Sequence, residues 1–306
     1  MKYDNNKVAI IGCGNVGMTA AYALLHTGIV NELLLVGRNK DALIGEQLDL
    51  EHGMSFLPNC KVTATDDYAD LVDTDVVVYS AGAAQKPGET RLDLATKNCE
   101  ILACILPQIV HYAPNAVIVI VTNPVDILTY KAYQQAKLPK GRIFGTGTTL
   151  DTARFRFHLS EFLKVNPQSI HAYILGEHGD TSFPAISSAT VGGQALTTLP
   201  AFNQERAMKA FTAAQNAAYK IIEAKGSTYY GIGTVISHIV SKILRNARTV
   251  LPVSIPLHGY MDYSGVSLSV PCIIGRNGVE DILEIRLDWE EKQKLERSVK
   301  ALKSYL

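Results

Sequence analysis

An α/β fold on a doubly wound parallel sheet, followed by an α+β domain, is the class that this 306-residue sequence predicts. Three observations predict it. The first half carries short continuous runs of Val, Ile and Leu separated by helical stretches or loops, the pattern of parallel strands buried on both faces. A cluster of glycines, Gly12-Cys13-Gly14-Asn15-Val16-Gly17, directly follows the first of those runs and opens a helix. Beyond about Gly145 the alternation gives way to three longer helical patterns interspersed with strand-like segments.

The elements follow in order. Lys7 to Ile11 is a short apolar strand, and Asn15 to Thr27 a helix that ends at Gly28. Further strands are predicted at Leu33–Val36, Val76–Ser80, Val117–Thr122 and Ile143–Phe144, with a weaker one at Lys61–Ala64. A series of this kind implies right-handed crossovers and a sheet wound in both directions. In the second half, helices are predicted over Leu150–Leu163, Gln204–Ala224 and Thr234–Asn246, and strands over Ser169–Leu175, Val250–Pro256, Ser267–Ile274 and Ile282–Leu287. Asp288 and Glu291 have the spacing of a capping box for a last helix through Leu302. The expected units are a dinucleotide-binding domain over 1–145 and a substrate-binding, catalytic domain over 146–306. No Pro/Gly-rich linker separates them, so a cleft is expected at a close junction.

Composition narrows the function. Lysine plus arginine and aspartate plus glutamate number 29 each, giving a formal net charge of zero. That balance offers no electrostatic case for nucleic acid or an anionic membrane as partner. No stretch approaches the roughly 18 apolar residues of a membrane span. The polar start, Met1 to Lys7, runs straight into a strand and is not the pattern of a secretory signal. The five cysteines (Cys13, Cys60, Cys99, Cys104 and Cys272) are odd in number and scattered, the usage of reduced thiols in a cytoplasmic protein. No His/Cys/Asp group has metal-ligand spacing, so no metal is expected.

The glycine cluster fits G-x-G-x-x-G in the context that gives it meaning. Its glycines allow a tight turn and close backbone approach, and the helix N-terminus presents amides to a pyrophosphate. The predicted nucleotide unit is therefore Rossmann-type. An acidic residue normally ends its second strand and bonds the adenosine ribose. Here Val36 is followed by Gly37 and Arg38. Losing a carboxylate and gaining a guanidinium suits a 2′-phosphate, so NADP is expected to be accepted or preferred beside NAD. The alternative is that Arg38 is a solvated loop residue.

Three further segments carry chemistry. In Gly176-Glu177-His178-Gly179-Asp180 a histidine is placed on a loop just after a strand, where its ordinary pKa suits acid–base work near neutrality. Asp151 and Arg154 are three apart on a predicted helix and share one face. They could orient the imidazole and fork a substrate carboxylate, or form a surface ion pair. His158, one turn on, is taken as packing or surface. Gly82 to Arg91, following the fourth strand, has the polar and glycine content of a lid, and Asn123 ends the fifth strand beside the same crevice.

Together with Leu268 to Gly278, these segments resemble the L-lactate/malate dehydrogenase family over essentially the whole chain. The resemblance implies reversible hydride transfer between NAD(P)H and pyruvate, giving L-lactate. It makes His178 the proton donor, Asp151 its orienting partner and Arg154 the carboxylate ligand. It makes Arg91 the lid residue that polarises the carbonyl, with Asn123 and Thr228 lining the site. The expected cofactor-binding set is Gly12, Gly14, Asn15, Val16, Gly17, Ala81, Gly82 and Asn123, with Gly37 and Arg38, where this sequence departs from the family pattern. Gln85 occupies the lid position that faces the substrate side chain, where malate-specific members carry arginine, so pyruvate is favoured over oxaloacetate. Arg156, on the opposite helix face from Arg154, and His171 match the bacterial members that bind fructose 1,6-bisphosphate between subunits. A homotetramer is likewise implied. Two alternatives stand beside this reading: a dehydrogenase for larger 2-keto acids of the 2-hydroxyisocaproate type, and a non-catalytic dinucleotide-binding redox sensor.

Overall fold

A computed structural model describes residues 5–84 and 91–306, with only the backbone of residue 91. The first half is built from β1 (Lys7–Ile11), α1 (Asn15–Leu25), β2 (Glu32–Val36), α2 (Lys40–His52), β3 (Lys61–Thr65), β4 (Val76–Tyr79), α3 (Arg91–Tyr112), β5 (Val117–Ile120), α4 (Val125–Ala136) and β6 (Ile143–Gly145). These six strands are parallel and lie in the order β6-β5-β4-β1-β2-β3, so the direction of winding reverses between β1 and β4. Their alternate residues divide between two apolar cores. Val8, Ile10, Leu33, Leu35, Val76 and Val78 face one side, and Ala9, Ile11, Leu34, Val36, Val77 and Tyr79 the other. Burial on both faces is what makes the strands read as unbroken apolar runs.

The second half contains α5 (Thr149–Leu163), the two-residue strands β7 (Ile170–His171), β8 (Ile174–Leu175), β9 (Phe183–Pro184), β10 (Thr190–Val191) and β11 (Gln194–Ala195), then α6 (Gln204–Lys225), α7 (Tyr230–Leu244), β12 (Thr249–Tyr260), β13 (Tyr263–Gly275), β14 (Gly278–Ile282) and α8 (Trp289–Lys303). Its long strands do not form a sheet of their own. β12 pairs antiparallel with β6 through Ser254 and Gly145, so β12, β13 and β14 extend the first sheet to nine strands among the described residues. The junction is tied by helices too. α7 crosses α1 closely, because Gly233 lies where any side chain would overlap Thr19.

Two predicted strands are corrected. Ser169–Leu175 is not one strand: Ser169 closes a 3-10 turn, and β7 and β8 belong to different sheets. Between them the backbone is held by α5 side chains. Arg156 Nε donates to the Ala172 carbonyl at 2.9 Å, and the Ile174 N–H donates to Thr152 Oγ1 at 2.9 Å. The strand expected at Ile282–Leu287 lies instead at Gly278–Ile282. Leu283 N–H still reaches the Pro271 carbonyl at 2.8 Å, but Pro271 has no N–H to return and the ladder stops. The last helix starts at the expected cap, with Asp288 and Glu291 exchanging both capping bonds.

Candidate active site

Strand ends and helix starts converge where the winding reverses. The turn after β1 passes against the end of β4: a side chain at Gly12 would overlap the backbone of Ala81, and one at Gly17 would overlap the Gly12 carbonyl. These two glycines are therefore needed by the fold. Gly14 differs, because a Cβ there would meet nothing within 4 Å. Gly14 is also the N-cap of α1, no side chain caps that end, and the first turn carries no acid. An uncapped helix N-terminus facing open space beneath a glycine fits a dinucleotide pyrophosphate.

Gly37 and Arg38 lie at the matching end of β2. The Gly37 N–H donates to the Thr65 carbonyl at 3.2 Å, and Arg38 is exposed. Ala81 and Gly82 follow β4. Both the loop after β4 and the turn after β5 are held by Asn98 of α3, which is buried. Asn98 Oδ1 accepts from the Ala83 N–H at 2.7 Å, and Nδ2 donates to the Asn123 carbonyl at 2.7 Å.

A cleft of about 490 Å³ runs from this edge into the second half and is lined by Val16, Asn123, Asp151, Arg154, His178 and Thr228 among others. Six residues predicted from five separate segments thus meet in one cavity. Its apolar walls include Leu94, Ile222 and Ile232. Thr228 lies on the segment joining α6 to α7, which is docked on the nucleotide turn by Asn15 Nδ2 donating to Ser227 Oγ at 3.3 Å.

At the centre, the Asp151 carboxylate is shared. Oδ2 lies 2.6 Å from His178 Nδ1, and Oδ1 accepts from Arg154 Nη1 at 3.1 Å. The i,i+3 spacing on α5 places both α5 groups on one face. Burial alone would push the His178 pKa down, but the Asp151 carboxylate outweighs it and holds the imidazole above its ordinary value. Burial alone would raise Asp151, and here too the charges win: His178 and Arg154 hold it below the usual carboxylate range. The arrangement provides a charged acid, a fixed counter-ion and a guanidinium within one cleft.

Family models agree with this architecture. A model described as lactate/malate dehydrogenase, NAD binding domain, matches residues 6–145, and one described as lactate/malate dehydrogenase, alpha/beta C-terminal domain, matches residues 148–306. The chain belongs to the lactate/malate dehydrogenase family. Among relatives in this family, L-lactate dehydrogenase 2 of Bacillus anthracis is 45% identical over 99% of this chain and 98% of its own length. L-lactate dehydrogenase 1 of Clostridium acetobutylicum is 42% identical over 99% of this chain and 98% of its own. Among solved structures, the minor L-lactate dehydrogenase from Enterococcus mundtii in its ligands-bound form superposes with a TM-score of 0.95 at 40% identity, covering 98% of this chain and 97% of that one. A lactate dehydrogenase from a Medee basin deep-sea metagenome library gives 0.94 at 36% identity, covering 99% and 98%.

Not every predicted position of this lactate/malate dehydrogenase family member is described at the cleft. Gln85 lies outside the described residues, as does the side chain of Arg91, whose backbone starts α3. Arg156 and His171 lie apart from the cleft: the Arg156 guanidinium stacks on its own Tyr173 at 5.2 Å, and His171 is exposed beside it on β7. His158 pairs with Glu161 at 2.9 Å, away from the cleft. Two residues that sequence reasoning gave no role are Asn98 and Asp126. Asn98 interrupts the apolar stripe Leu94, Leu102, Leu106 of α3, a signal open to a closer reading. Asp126 stood in view in the Asn123 segment, but its partners are far away in sequence.

Among the described residues, no group of acids, histidines or cysteines could hold a metal, and no helix is long and apolar enough to cross a membrane.

Proposed function

We propose that this protein is an NAD(H)-linked L-2-hydroxy-acid dehydrogenase whose main reaction is the reversible reduction of pyruvate to L-lactate. The observation that carries the reading is the Asp151 carboxylate, bonded to both His178 and Arg154 inside a cleft that opens on the glycine turn. The names of the relatives support the substrate class.

The bound nicotinamide would supply and accept a hydride at the substrate carbon. The protein supplies everything else. Arg154 uses one N–H on Asp151, and its guanidinium fork would take the substrate carboxylate. With Nδ1 held by Asp151, Nε2 is the His178 nitrogen that would give its proton to the carbonyl oxygen in reduction and recover it in oxidation. Asp151 keeps that proton in place by stabilising the imidazolium. The turn of Gly12, Gly14, Asn15, Val16 and Gly17, with Ala81, Gly82 and Asn123, would hold the dinucleotide. Arg91 and Gln85 would complete the site from the lid side, Arg91 on the carbonyl and neutral Gln85 against the substrate side chain. Without a cation at Gln85, oxaloacetate gains no partner for its second carboxylate.

Initial rates with pyruvate, oxaloacetate and 2-ketoisocaproate, each with NADH, test the reading. The highest kcat/KM is expected with pyruvate. A preference for 2-ketoisocaproate would make it a dehydrogenase for larger acids, and tight NADH binding without turnover of any of the three would favour a sensor.

Two finer readings rest on particular residues. Exposed Arg38 beside Gly37, where an acid would otherwise repel a 2′-phosphate, favours use of NADPH as well as NADH. Arg156 and exposed His171 adjoin, because Arg156 bonds the residue next to His171; they would form a fructose 1,6-bisphosphate site between subunits of a homotetramer. Rates at limiting pyruvate that ignore added fructose 1,6-bisphosphate, or a monomer in sedimentation, would overturn that second reading. All five cysteines are free thiols, which suits a cytoplasmic location.

A further inference from the structure

Thr228 reaches the cleft from a turn that the backbone barely secures. α6 closes at Gly226, whose φ is +83° and whose N–H donates to the Ile222 carbonyl at 2.8 Å. α7 opens where the Tyr229 carbonyl accepts the Gly233 N–H at 2.8 Å. Between these two bonds, Ser227 and Thr228 make no main-chain hydrogen bond among the described residues. The Thr228 hydroxyl bonds none of the described residues either, although Thr228 lines the cleft between Ile222 of α6 and Ile232 of α7. Its place therefore depends on the side chains that flank it.

Those side chains form a clasp. Lys225 is the last residue of α6, Tyr229 the N-cap of α7 and Tyr230 its first residue. Lys225 Nζ lies 3.4 Å from the centre of the Tyr229 ring and 4.2 Å from that of Tyr230, and the two rings meet edge to face with centroids 4.5 Å apart. An ammonium this close to a ring face is attracted by the ring quadrupole, and the C-terminus of α6 favours a cation as well. The Lys225 ammonium beside Tyr229 also holds its phenol below the ordinary tyrosine value, with Tyr230 adding to the effect. Cation and rings thus bridge the two ends of the turn, while Asn15 of the nucleotide turn holds its middle through Ser227.

We propose that Lys225 is a positioning residue for the substrate end of the cleft: its ammonium, held on the rings of Tyr229 and Tyr230, closes the turn that presents Thr228. The kinetic consequence rests on the dehydrogenase reading; the effect on the placement of Thr228 does not. Lys225 lies outside the cleft and touches no reacting group, so it acts through Thr228 alone. A loosened Thr228 would weaken the hold on substrate before and during reaction alike, which raises KM and leaves kcat nearly unchanged.

The test is Lys225→Met in the full-length protein, beside Lys225→Arg. Methionine keeps an unbranched stem without the charge, and arginine keeps a cation for the two rings. Lys225 is exposed, so neither change touches the core. Two readouts are followed: NMR of the Thr228 methyl and the Tyr229 ring without cofactor, and steady-state rates with pyruvate at saturating NADH. In Lys225→Met the Tyr229 phenol midpoint should rise and the Thr228 methyl signal should move. KM for pyruvate should rise about three- to tenfold, with kcat and NADH affinity within about twofold of the parent. Lys225→Arg should restore the Thr228 signal and bring KM within about twofold of the parent. A lowered melting temperature with an unmoved Thr228 signal and a parental KM would make Lys225 merely structural and overturn the proposal. So would a KM that rises equally in Lys225→Arg. If the parent fails to reduce pyruvate, the Thr228 methyl still decides: a signal displaced by methionine and restored by arginine supports the proposal, and one that methionine leaves in place overturns it.

Discussion

The imidazole of His178 and the carboxylate of Asp151 face each other at 2.6 Å across sequence positions 27 apart, with Arg154 on the carboxylate's second oxygen. Such a pair has a signed consequence for pH. Pyruvate reduction needs the imidazolium, so its kcat/KM should fall as pH rises through the raised His178 value, and lactate oxidation should rise through the same midpoint. In Asp151→Asn the midpoint should drop, and the reduction rate at pH 7 should fall by about 10²-fold or more. Rate profiles in both directions, for parent and variant, check this; a midpoint unchanged by the substitution would show that Asp151 does not set it.

Linkage gives the same pair a place in stability. His178 is raised on folding, so its contribution is full below the unfolded value near 6.5 and is lost as pH climbs through the folded value. Asp151 is depressed, so its contribution is present above about 3.9 and is lost as pH falls through the folded value. The pair therefore supports the fold most between roughly pH 4 and 6.5. Thermal melts of the parent and Asp151→Asn without cofactor should differ most in that window and less at pH 9.

Arg154 bonds Asp151 and, in the proposed reaction, would take the substrate carboxylate, so its replacements should separate by shape. Arg154→Lys keeps the charge but loses the planar fork. It should raise KM for pyruvate about a hundredfold with a smaller effect on NADH binding. Arg154→Gln should do so more strongly and, because the Arg154 charge opposes protonation of the imidazole, should raise the His178 midpoint where Asp151→Asn lowers it. Steady-state constants with pyruvate and an NADH fluorescence titration distinguish these outcomes. A KM within about threefold of the parent for Arg154→Lys would remove the fork from the mechanism.

Much of this arrangement was legible in sequence, for identifiable reasons. Strands β1 to β6 announce themselves because both faces are buried, and the fold of α5 follows from spacing, so Asp151 and Arg154 could be paired before any coordinates. Asp151, Arg154 and Asn123 were legible as partners of His178 from their own segments, Val16 and Thr228 joined them through the resemblance, and the cleft brings those six together. What escaped depends on partners distant along the chain. Asp126 is defined by contacts 52 and 128 residues away, and Asn98 by two loops that only the finished sheet brings side by side. The segment Ser169–Leu175 looked like one strand because its apolar pattern is strand-like. Its backbone bonds go instead to Arg156 and Thr152, which periodicity does not reveal.

The glycines of the nucleotide turn should not be equivalent. Gly12 has a φ of +94° and would drive a Cβ into Ala81, so Gly12→Ala should destabilise the fold by at least about 2 kcal/mol. Gly14 has φ −83° and open space, so Gly14→Ala should leave the melting temperature almost unchanged. Because that space would lie against the pyrophosphate, the same variant should weaken NADH binding about tenfold, or 1.4 kcal/mol. Melting curves without cofactor and a fluorescence titration with NADH separate a structural glycine from a binding one. Normal NADH affinity in Gly14→Ala would place the pyrophosphate elsewhere.

The proposed role of Gly37 in cofactor choice is open to a direct test. Its φ is not positive, and a Cβ there would meet only Leu43, at an ordinary 3.4 Å, so an aspartate can be introduced without backbone strain. A carboxylate at that position would face the adenosine ribose, where it bonds hydroxyls and repels a 2′-phosphate. Arg38 would then pair with the new acid rather than with a ligand. Gly37→Asp should therefore lower kcat/KM for NADPH by about a hundredfold while leaving that for NADH the same or higher. Arg38→Ala should reduce NADPH use less, because it removes an attraction without adding a repulsion. Side-by-side rates with the two cofactors, in the parent and both variants, form the experiment. If the parent already uses NADH at least a hundredfold better, Gly37 and Arg38 do not form a 2′-phosphate site, and the ribose is held by other contacts of the turn.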